Sequence, residues 1–342
     1  MGKPYIVAEL SANHNQNIGV ALATIKAAKD AGADAVKIQT YTPDTITLKC
    51  SNKYFQINAG TIWDGVTLYE LYEKAYTPWE WHEELFGYAK EIGIEIFSSP
   101  FDISAIDLLE SIDVTRYKIA SLEITDIPLI EYAASKGKPM IISTGIATTQ
   151  DIVEAIQACK RKGITDITLL QCTSQYPANY KDANLLTMVN MKERFKVKTG
   201  VSDHTIGSEV PTVATVLGAE MIEKHFILDR ELGGPDASFS MTPPDFKDMV
   251  ARVRNAKEIM GDVTYELTEM KKASREFARS LFVVEDVKRG DIITKDNIRS
   301  IRPGHGISPK YYEEILGKKF AKDTERGTPV SWDILENGKE LD

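Results

Sequence analysis

The segment Met221-Ile222-Glu223-Lys224-His225-Phe226 is the last of eight short apolar runs in the first 230 residues. The run before it, in Gly200-Val201-Ser202-Asp203-His204, also ends in charged side chains and a histidine. Short runs rich in isoleucine and valine are typical of buried β-strands. The eight predicted strands are Tyr5–Leu10, Ala35–Thr40, Ile94–Ser98, Arg116–Ala120, Met140–Thr144, Ile167–Cys172, Thr199–Ser202 and Met221–Phe226.

Amphipathic segments separate the predicted strands, and several end at a glycine, which favours a helix C-terminus. The clearest helices are predicted over Val20–Ala31 before Gly32, Trp79–Ile92 before Gly93 and Asp151–Lys162 before Gly163. Eight strand–helix units predict a (β/α)8 barrel, the TIM barrel, over residues 1–262. The connection from Tyr41 to Thr67 is longer than ordinary barrel loops. We expect it to be a lid, with a substrate-specificity insertion as the alternative.

The composition indicates a globular protein without a nucleic-acid surface. The chain has 342 residues, 43% of them hydrophobic, and a formal net charge of −9. That charge argues against nucleic-acid partners but allows a local basic pocket for an anionic small molecule. No apolar run is long enough to span a membrane, so no membrane partner is expected. Three cysteines without a CxxC pair, and a first strand that begins at Tyr5, predict a cytoplasmic protein with reduced thiols.

The sequence pattern changes after the barrel. A charged linker is predicted over residues 263–278, followed by a small domain over residues 279–342. The predicted strands of this domain are short and lie between glycine turns, at Leu281–Val284, Gly290–Ile293 and Thr328–Val330. Because so few apolar residues make a weak core, we expect this domain to dock on another surface.

Two histidines, His204 and His225, end the last two predicted strands. The C-terminal ends of barrel strands are where TIM barrels build their active sites. Either histidine alone is more often a core residue satisfied by hydrogen bonds. Two of only five histidines at neighbouring strand ends, however, predict an active site in which both imidazoles hold one divalent metal ion.

Two lysines, Lys37 and Lys118, lie inside predicted strands, where a surface cation is hard to accommodate. With serines at the strand ends they supply the donors that bind a compact dianion such as a phosphate ester. Each serine alone is also compatible with a turn or a helix cap. The candidate serines are Ser99, Ser121, Ser143 and Ser202.

Three acidic residues are further candidates. Glu9 and Glu123 follow strands and are either general acids or bases or groups that orient a ligand hydroxyl, and periodicity does not separate these roles. Asp236, in Gly233-Gly234-Pro235-Asp236, lies after the last strand. We expect it either to bind a polyol or to be a simple turn residue.

These motifs, in this order, resemble the sialic acid synthase family, whose members condense phosphoenolpyruvate with an acetamido sugar to form nonulosonic acids. The resemblance extends over essentially the whole chain. It rests on Ala8-Glu9-Leu10 with Asn13-His14, Lys37-Ile38-Gln39, Tyr117–Ser121 with Glu123, Ser143-Thr144-Gly145, Cys172-Thr173 with Tyr176-Pro177, Ser202-Asp203-His204 and Glu223–Phe226. The segment from Ala278 to Gly317 is similar to the antifreeze-like (SAF) domain, a β-clip fold that follows the barrel in this family.

Within the family, the chain looks most like the pseudaminic acid synthases. The similar segments are Lys37–Asp44, Leu68–Tyr72 and Thr77–His82. The resemblance then implies 2,4-diacetamido-2,4,6-trideoxy-L-altrose as the acceptor sugar. Its second acetamido group and missing terminal hydroxyl require a less polar pocket than N-acetylmannosamine does. The candidates to line that pocket are Trp63, Tyr69 and Tyr72.

The resemblance also implies a role for each site residue. His204 and His225 would hold Mn²⁺ or Mg²⁺, which polarises the sugar aldehyde as a Lewis acid, with substrate and water oxygens completing the coordination shell. Glu9 or Glu123 would act as the base for the attacking water, and Lys118 counts with them as catalytic. Phosphoenolpyruvate would bind to Lys37, Ser99, Lys118, Ser121, Ser143, Ser174 and Ser202, and the sugar to Gln39, Glu123, Tyr176 and Asp236.

The small domain supplies one more candidate, Arg302. In the family this domain reaches across a two-fold dimer, and its arginine completes the active site of the partner. The resemblance therefore implies a domain-swapped homodimer.

Three alternatives remain open. An N-acetylneuraminate or legionaminate synthase would keep the family and change the sugar. A metal-dependent pyruvate aldolase would share the barrel, lysines and histidines but would release no phosphate. A non-catalytic carbohydrate-binding protein is disfavoured, because clustered lysine, glutamate and histidine at strand ends have no use in a scaffold.

Overall fold

The computed structural model describes residues 2–58, 60 and 63–336. The chain divides into two compact units, Met1–Gly261 and Asp262–Asp342. Among the described residues, none of the helices combines the length and the hydrophobicity that a membrane span requires.

The described part of the first unit contains a closed barrel of eight parallel strands in chain order, with the last strand paired to the first. The strands are β1 (Tyr5–Glu9), β2 (Ala35–Thr40), β3 (Glu95–Pro100), β4 (Tyr117–Ile119), β5 (Met140–Ser143), β6 (Ile167–Cys172), β7 (Lys198–Asp203) and β8 (Met221–His225). Each predicted strand overlaps an observed one, and their ends differ by at most two residues. The predicted TIM barrel is confirmed.

Helices follow the strands, and all but α2 and α3, which lie beside the strand ends, cover the outside of the barrel. They are α1 (Ile18–Asp30), α2 (Pro43–Ile46), α3 (Leu68–Ala75), α4 (His82–Ile92), α5 (Ile103–Ser111), α6 (Ile127–Ser135), α7 (Thr149–Arg161), α8 (Leu185–Phe195), α9 (Glu209–Val216) and α10 (Pro243–Met260). The three predicted helices correspond to α1, α4 and α7. Gly93 ends α4 with a φ of 72°, a left-handed conformation that explains the glycine there.

The strand register brings the polar residues of the sequence motifs to one end of the barrel. Glu9 pairs with Lys37 on one side and with His225 on the other, and Ser202 pairs with Glu223. Because paired residues of adjacent strands point to the same face, these five side chains converge on the barrel interior. The fold therefore assembles charged groups that are up to 216 positions apart in the sequence.

The long connection between β2 and α4 has structure of its own. It contains α2 and α3, and Gln56 and Thr67 form an antiparallel bridge between them. Thr67 then caps α3 by accepting from the backbone N–H of Glu70. The connection is thus an ordered wall beside the strand ends, whereas closure as a lid stays a prediction.

The described part of the second unit contains one helix, α11 (Glu269–Arg275), before a small β structure, and a second, α12 (Tyr312–Ile315), inside it. The strands β9 (Ser280–Val283) and β10 (Ile298–Ile301) pair antiparallel. The strands predicted at Gly290–Ile293 and Thr328–Val330 form only isolated bridges, at Ile292 and Pro329. Pro329 has no N–H to extend a ladder, which limits pairing there.

Candidate active site

A cavity of about 510 Å³ opens at the C-terminal ends of the barrel strands. Most of the predicted site residues line it, although they come from seven strands or the loops that follow them. The predicted residues in its wall are Glu9, Lys37, Gln39, Lys118, Ser121, Glu123, Ser143, Tyr176, Ser202, His204, His225 and Asp236. This is the end of the barrel where TIM-barrel enzymes place their catalytic groups.

Two lysines and two glutamates form the charged floor of the cavity: Lys37, Lys118, Glu9 and Glu223. Lys37 Nζ lies 2.7 Å from Glu9 Oε2 and 3.6 Å from Glu223 Oε1. Lys118 Nζ lies 3.7 Å from the same Glu223 oxygen, and all four side chains are at most 5% exposed. Gln39 Nε2 donates to Glu9 Oε1 at 2.9 Å and so holds the first carboxylate in place.

The two lysines of the charged floor differ in their partners. Burial alone disfavours the charge of Lys37, but Glu223 and Glu9 raise its pKa above the ordinary value. Lys118 donates no hydrogen bond within the described part of the chain, and burial lowers its pKa. Lys118 therefore has unused donors that an incoming anion would satisfy, which also stabilises its charge.

Ser121 and Ser143 line the cavity together with Lys118, and Gly145 and Ser174 line an adjoining cavity. Ser121 Oγ accepts from the backbone N–H of Gly145 at 3.1 Å, and Ser143 Oγ is buried without a partner among the described residues. A Cβ atom on Gly145 would collide with the Oγ atoms of Ser174 and Ser121. These four residues form a cradle, the serine cradle, whose donors suit the oxygens of a phosphate group.

The two histidines lie side by side in the cavity, with ring centroids 5.2 Å apart. His204 Nδ1–H donates to Thr173 O at 2.9 Å, so Nε2 is the ring nitrogen left for a ligand. Burial disfavours the charged ring, but Cys172 and the Thr173 carbonyl raise the pKa of His204 above its ordinary value, so a cation at Nε2 has to displace a proton. His225 Nδ1 is buried with no hydrogen-bond partner among the described residues, and it lies 3.8 Å from Asp236 Oδ2. Burial and the nearby cations lower the pKa of His225 well below its ordinary value, so its imidazole is neutral.

These two imidazoles fit a divalent metal ion as far as donor chemistry goes. A buried, neutral ring nitrogen without a hydrogen-bond partner can donate its lone pair to a divalent cation in place of a hydrogen bond. Among the described residues, no group of three or more His, Cys, Asp or Glu side chains is arranged to hold a metal. A bound ion would therefore need oxygen ligands from water or substrate besides these histidines.

The Glu123 carboxyl has few stabilising contacts in the cavity. Its side chain is largely buried, and Oε2 has no hydrogen-bond partner among the described residues. Burial raises the pKa of Glu123 to about 7, although Lys118 opposes the shift. A carboxyl that titrates near neutral pH can accept and return a proton, as a general base and acid must.

Apolar side chains form the opposite wall of the cavity. Most of them come from the connection between β2 and α4, and the Tyr41 ring packs edge-on against Tyr72 and Phe101. Aromatic rings also surround the histidines, since Tyr176 lies 4.4 Å from His204 between ring centroids. The residues of this apolar wall are Tyr41, Ile46, Ile57, Trp63, Leu68, Leu71, Tyr72, Ala75, Phe101 and Leu122.

Three predicted site residues lie outside the cavity wall. Ser99 is fully buried and accepts a hydrogen bond from Lys37 Nζ at 3.4 Å, so it supports the lysine. Ser174 lines an adjoining cavity and reaches the serine cradle from that side. Arg302 is exposed in the second unit, directly after β10. Tyr69, named above with the apolar candidates, does not line the cavity, because its ring packs with Lys49 instead.

Sequence reasoning missed the roles of Glu223 and Cys172 in the cavity, and it missed Phe239 beside His225. Glu223 was quoted within a motif but was given no role. It lies two residues before His225, and that spacing already placed both side chains on one face of the strand. Cys172 entered only as part of a motif, yet it lines the cavity; burial raises its thiol pKa, and His204 outweighs that effect and lowers the pKa to about 7. Phe239 packs 5.0 Å from the His225 ring from an irregular loop, where no periodic signal exists.

Comparisons with known proteins agree with this geometry. Residues 24–265 match the NeuB family, and residues 278–336 match the SAF domain. The chain is 50% identical over 334 residues to a pseudaminic acid synthase of Helicobacter pylori, covering 97% of this chain and 98% of the relative. It is 46% identical over 325 residues to a pseudaminic acid synthase of Campylobacter jejuni, covering 95% and 94%.

More distant relatives share the architecture. An N,N'-diacetyllegionaminic acid synthase of Legionella pneumophila is 38% identical over 339 residues, covering 97% of this chain and 94% of the relative. The crystal structure of an N-acetylneuraminic acid (sialic acid) synthetase from Leptospira borgpetersenii in complex with citrate is 32% identical, with a TM-score of 0.71 over 80% of this chain and 90% of that one. A closed barrel with converging lysines, glutamates and histidines, a SAF domain after it, and relatives matched over nearly their whole length identify this chain as a member of the NeuB family, the sialic acid synthases.

Proposed function

We propose that this protein condenses phosphoenolpyruvate with 2,4-diacetamido-2,4,6-trideoxy-L-altrose and water to give pseudaminic acid and phosphate. The observation that carries the proposal is the division of one cavity into a cationic, hydroxyl-lined side and an apolar side. A dianionic enol phosphate matches the first side, and a deoxygenated sugar matches the second. The relatives with the higher identities among those described above bear the name pseudaminic acid synthase, whereas the legionaminic acid synthase is more distant.

Phosphoenolpyruvate binds between Lys118, Lys37 and the serine cradle. Lys118 is the main cation for its phosphate, because its donors are not used within the described chain, while Lys37 is partly neutralised by Glu9. Ser121, Ser143, Ser174 and the backbone around Gly145 supply neutral donors. Ser202 donates to Glu223 Oε1 at 2.9 Å, so it acts on the ligand through that carboxylate or after a hydroxyl rotation.

His204 and His225 hold a divalent cation, either Mn²⁺ or Mg²⁺, in this proposal. When bound, the ion supplies positive charge for the aldehyde oxygen of the open-chain sugar. Tyr176 and Asp236 lie against the same two imidazoles and therefore bind the sugar near its reactive end. We expect removal of the ion by a chelator to abolish turnover and added Mn²⁺ to restore it.

The carbon chemistry requires one nucleophile, one base and one leaving group. C3 of the enol phosphate attacks the sugar aldehyde carbon, and a water molecule adds to the electron-poor C2 centre. Glu123 takes a proton from that water, because its carboxyl has a pKa of about 7 and an oxygen without a partner among the described residues, whereas Glu9 is held by Lys37 and Gln39. The proton taken from the water passes to the alkoxide left by the aldehyde oxygen, which becomes a hydroxyl. The new C2 hydroxyl loses its proton to the departing phosphate as the C2–O bond breaks, so C2 becomes a carbonyl and phosphate leaves with its charge stabilised by Lys118 and the serine cradle.

The apolar wall supports the choice of sugar. The trideoxy sugar has a methyl group in place of the terminal hydroxyl. Burial of that methyl group against apolar side chains such as Leu71 and Ile46 makes the binding free energy more favourable. A sugar that carries a hydroxyl at the same place would lose its hydrogen bonds to water there without finding a partner.

We further propose that the protein is a domain-swapped homodimer in which Arg302 acts on the cavity of the partner. Arg302 is exposed, and the segment that precedes the second-unit strands exposes apolar side chains that a partner would cover. These include Val263, Tyr265 and Met270, each more than 80% exposed. A cytoplasmic location, expected from the cysteines, also stays a prediction.

The decisive experiment measures phosphate release from phosphoenolpyruvate with Mn²⁺ and each of three sugars, with mass detection of the product. The sugars are the trideoxy altrose derivative, its mannose-configured relative and N-acetylmannosamine. A clear preference for the altrose sugar supports the proposal. Turnover with another sugar alone would change the acceptor, and a condensation product without phosphate release would indicate an aldolase instead.

A further inference from the structure

Lys224 and Asp203 lie on the outer face of the barrel wall, away from the cavity. Side chains alternate along a strand, and Glu223 and His225 both line the cavity, so Lys224 between them points toward the helix layer. Asp203 is the neighbour of Lys224 in the register of β7 and β8 and therefore points to the same side. Their side chains are 1% and 3% exposed.

The two residues are joined in a closed set of short contacts. Lys224 Nζ donates to Asp203 Oδ2 at 2.5 Å and to Thr205 O at 2.5 Å. Thr205 in turn donates from its backbone N–H to Asp203 Oδ1 at 2.9 Å and from its hydroxyl to Oδ2 at 3.1 Å. We call Asp203, Thr205 and Lys224 the outer clamp.

The outer clamp surrounds the two cavity histidines along the chain. Asp203 and Thr205 are the residues on either side of His204, and Lys224 directly precedes His225. The clamp thus fixes the end of β7 and the start of the loop after it against the end of β8. Because His204 is the residue between the two fixed positions, its backbone cannot shift relative to His225 without breaking at least one of these contacts.

Stability does not explain such a pair. Burying two charges costs several kcal/mol of desolvation each, and well-packed apolar residues in the same place are often at least as stable. Directional hydrogen bonds and ion pairs are useful, however, where two metal-binding side chains from different strands must be held at one point. Groups that orient metal-binding histidines typically change metal affinity by 10–100-fold when they are removed.

We propose that the outer clamp positions His204 and His225 so that both imidazoles face one divalent cation, and that Lys224 is a positioning residue for metal affinity. The inference rests on the metal site of the proposed function. Lys224 touches neither substrate nor cation in this arrangement. It acts through the backbone of the two strand ends.

The test measures Mn²⁺ binding by electron paramagnetic resonance on the full-length protein without substrates. Lys224→Met removes the charge while keeping the length of the side chain. The double variant Lys224→Met/Asp203→Asn also removes the lone buried carboxylate and leaves an amide oxygen for the N–H of Thr205. Arg254→Met is the matched control, because it breaks another framework ion pair, to Asp34 at 2.7 Å, whose residues do not flank either histidine.

We expect both Lys224 variants to weaken Mn²⁺ binding by about 10–100-fold, and the visible absorption of the Co²⁺-loaded protein to change, while Arg254→Met leaves both nearly unchanged. Circular dichroism and thermal melting report whether each variant is folded. An unchanged Mn²⁺ dissociation constant in either folded Lys224 variant would overturn the clamp and leave the proposed function intact. A wild-type protein that binds no Mn²⁺ would overturn the metal assignment itself, and the clamp with it.

Discussion

The Glu123 carboxyl is the proposed catalytic base, and its burial also destabilises the folded protein when the carboxyl is charged. We expect Glu123→Gln to lower kcat by about 10²–10⁴-fold, because the amide cannot take the proton from water. In the wild-type protein kcat/KM should fall below about pH 7, where Glu123 becomes protonated. A pH–rate profile with no acid limb near pH 7 would assign the base elsewhere.

The same substitution should stabilise the fold at alkaline pH. The folded pKa of about 7 lies above the ordinary 4.5, so the stability that Glu123 contributes is present below pH 4.5 and is lost as the pH rises through 7. This rise in the pKa of Glu123 corresponds to a loss of at most about 3 kcal/mol in the free energy of unfolding at pH 8. Urea denaturation should therefore find Glu123→Gln more stable than wild type at pH 8 and similar at pH 4.

Gly145 provides a separate test of the serine cradle. Gly145→Ala should raise KM for phosphoenolpyruvate by about 10-fold or more, because the new methyl group displaces the Ser121 and Ser174 hydroxyls. KM for the sugar should change little. Gly87→Ala is the matched control, since its new methyl group would meet no atom within 4 Å. Equal effects of the two substitutions on phosphoenolpyruvate would argue against the cradle.

Sequence reasoning identified most of these residues because the barrel strands make their position predictable. A polar residue at the end of an apolar run points into or out of a barrel according to simple alternation, and Lys37, Lys118 and His225 followed that rule. It did not separate Glu9 from Glu123, because that difference depends on which carboxyl the neighbouring lysine reaches in three dimensions.

Among the structural elements, α3 and the connection that holds it determine the apolar wall. We expect Leu71→Asn to lower kcat/KM for the trideoxy sugar by about 10–200-fold and to lower it far less for N-acetylmannosamine, because the amide replaces the apolar contact with a polar one. Competition assays with both sugars measure the ratio directly.

Leu186→Asn serves as the control for that substitution. Leu186 is 73% exposed on α8 and does not line the cavity, so its replacement should leave the sugar ratio unchanged. If Leu71→Asn reduces turnover with both sugars equally, the wall only supports the fold and does not select the acceptor.

The elements also show where a sequence pattern stops being informative. The barrel strands were predictable because each is buried by helices and reads as a continuous apolar run. The connection between β2 and α4 has no such period. Its length and its aromatic residues predicted a pocket lining but not which of them form it, since Trp63 and Tyr72 line the cavity and Tyr69 does not. In the second unit, Gly290–Ile293 resembled a strand, yet only Ile292 makes a bridge there, because pairing is set by partners that local sequence does not specify.

For the whole molecule, the swapped dimer makes a prediction that mixing of variants can test. Glu123→Gln and Arg302→Ala homodimers should each be nearly inactive. If Arg302 acts across the dimer, a mixed dimer has one cavity with both Glu123 and the partner's arginine. Random exchange of subunits should then restore about a quarter of the wild-type rate, since half of the dimers are mixed and each has one complete site.

The same mixture also tests the competing arrangement. If Arg302 completes the cavity of its own chain, every site in the mixed dimers lacks one of the two groups, and mixing restores nothing. Analytical ultracentrifugation of the two variants, before and after mixing, establishes that dimers form. Circular dichroism of Arg302→Ala should be unchanged, because the arginine is exposed and outside the core of the second unit.

The cavity's two walls have different origins in the gene. Strand ends scattered from Glu9 to His225 supply the reactive side, whereas most of the apolar wall is encoded by the one uninterrupted stretch of codons from Tyr41 to Ala75. Recombination that replaces this stretch would exchange the preference for one acceptor without disturbing the catalytic machinery. Such an enzyme can inherit a new substrate in a single genetic event, while its reaction is preserved by residues that no single exchange could replace.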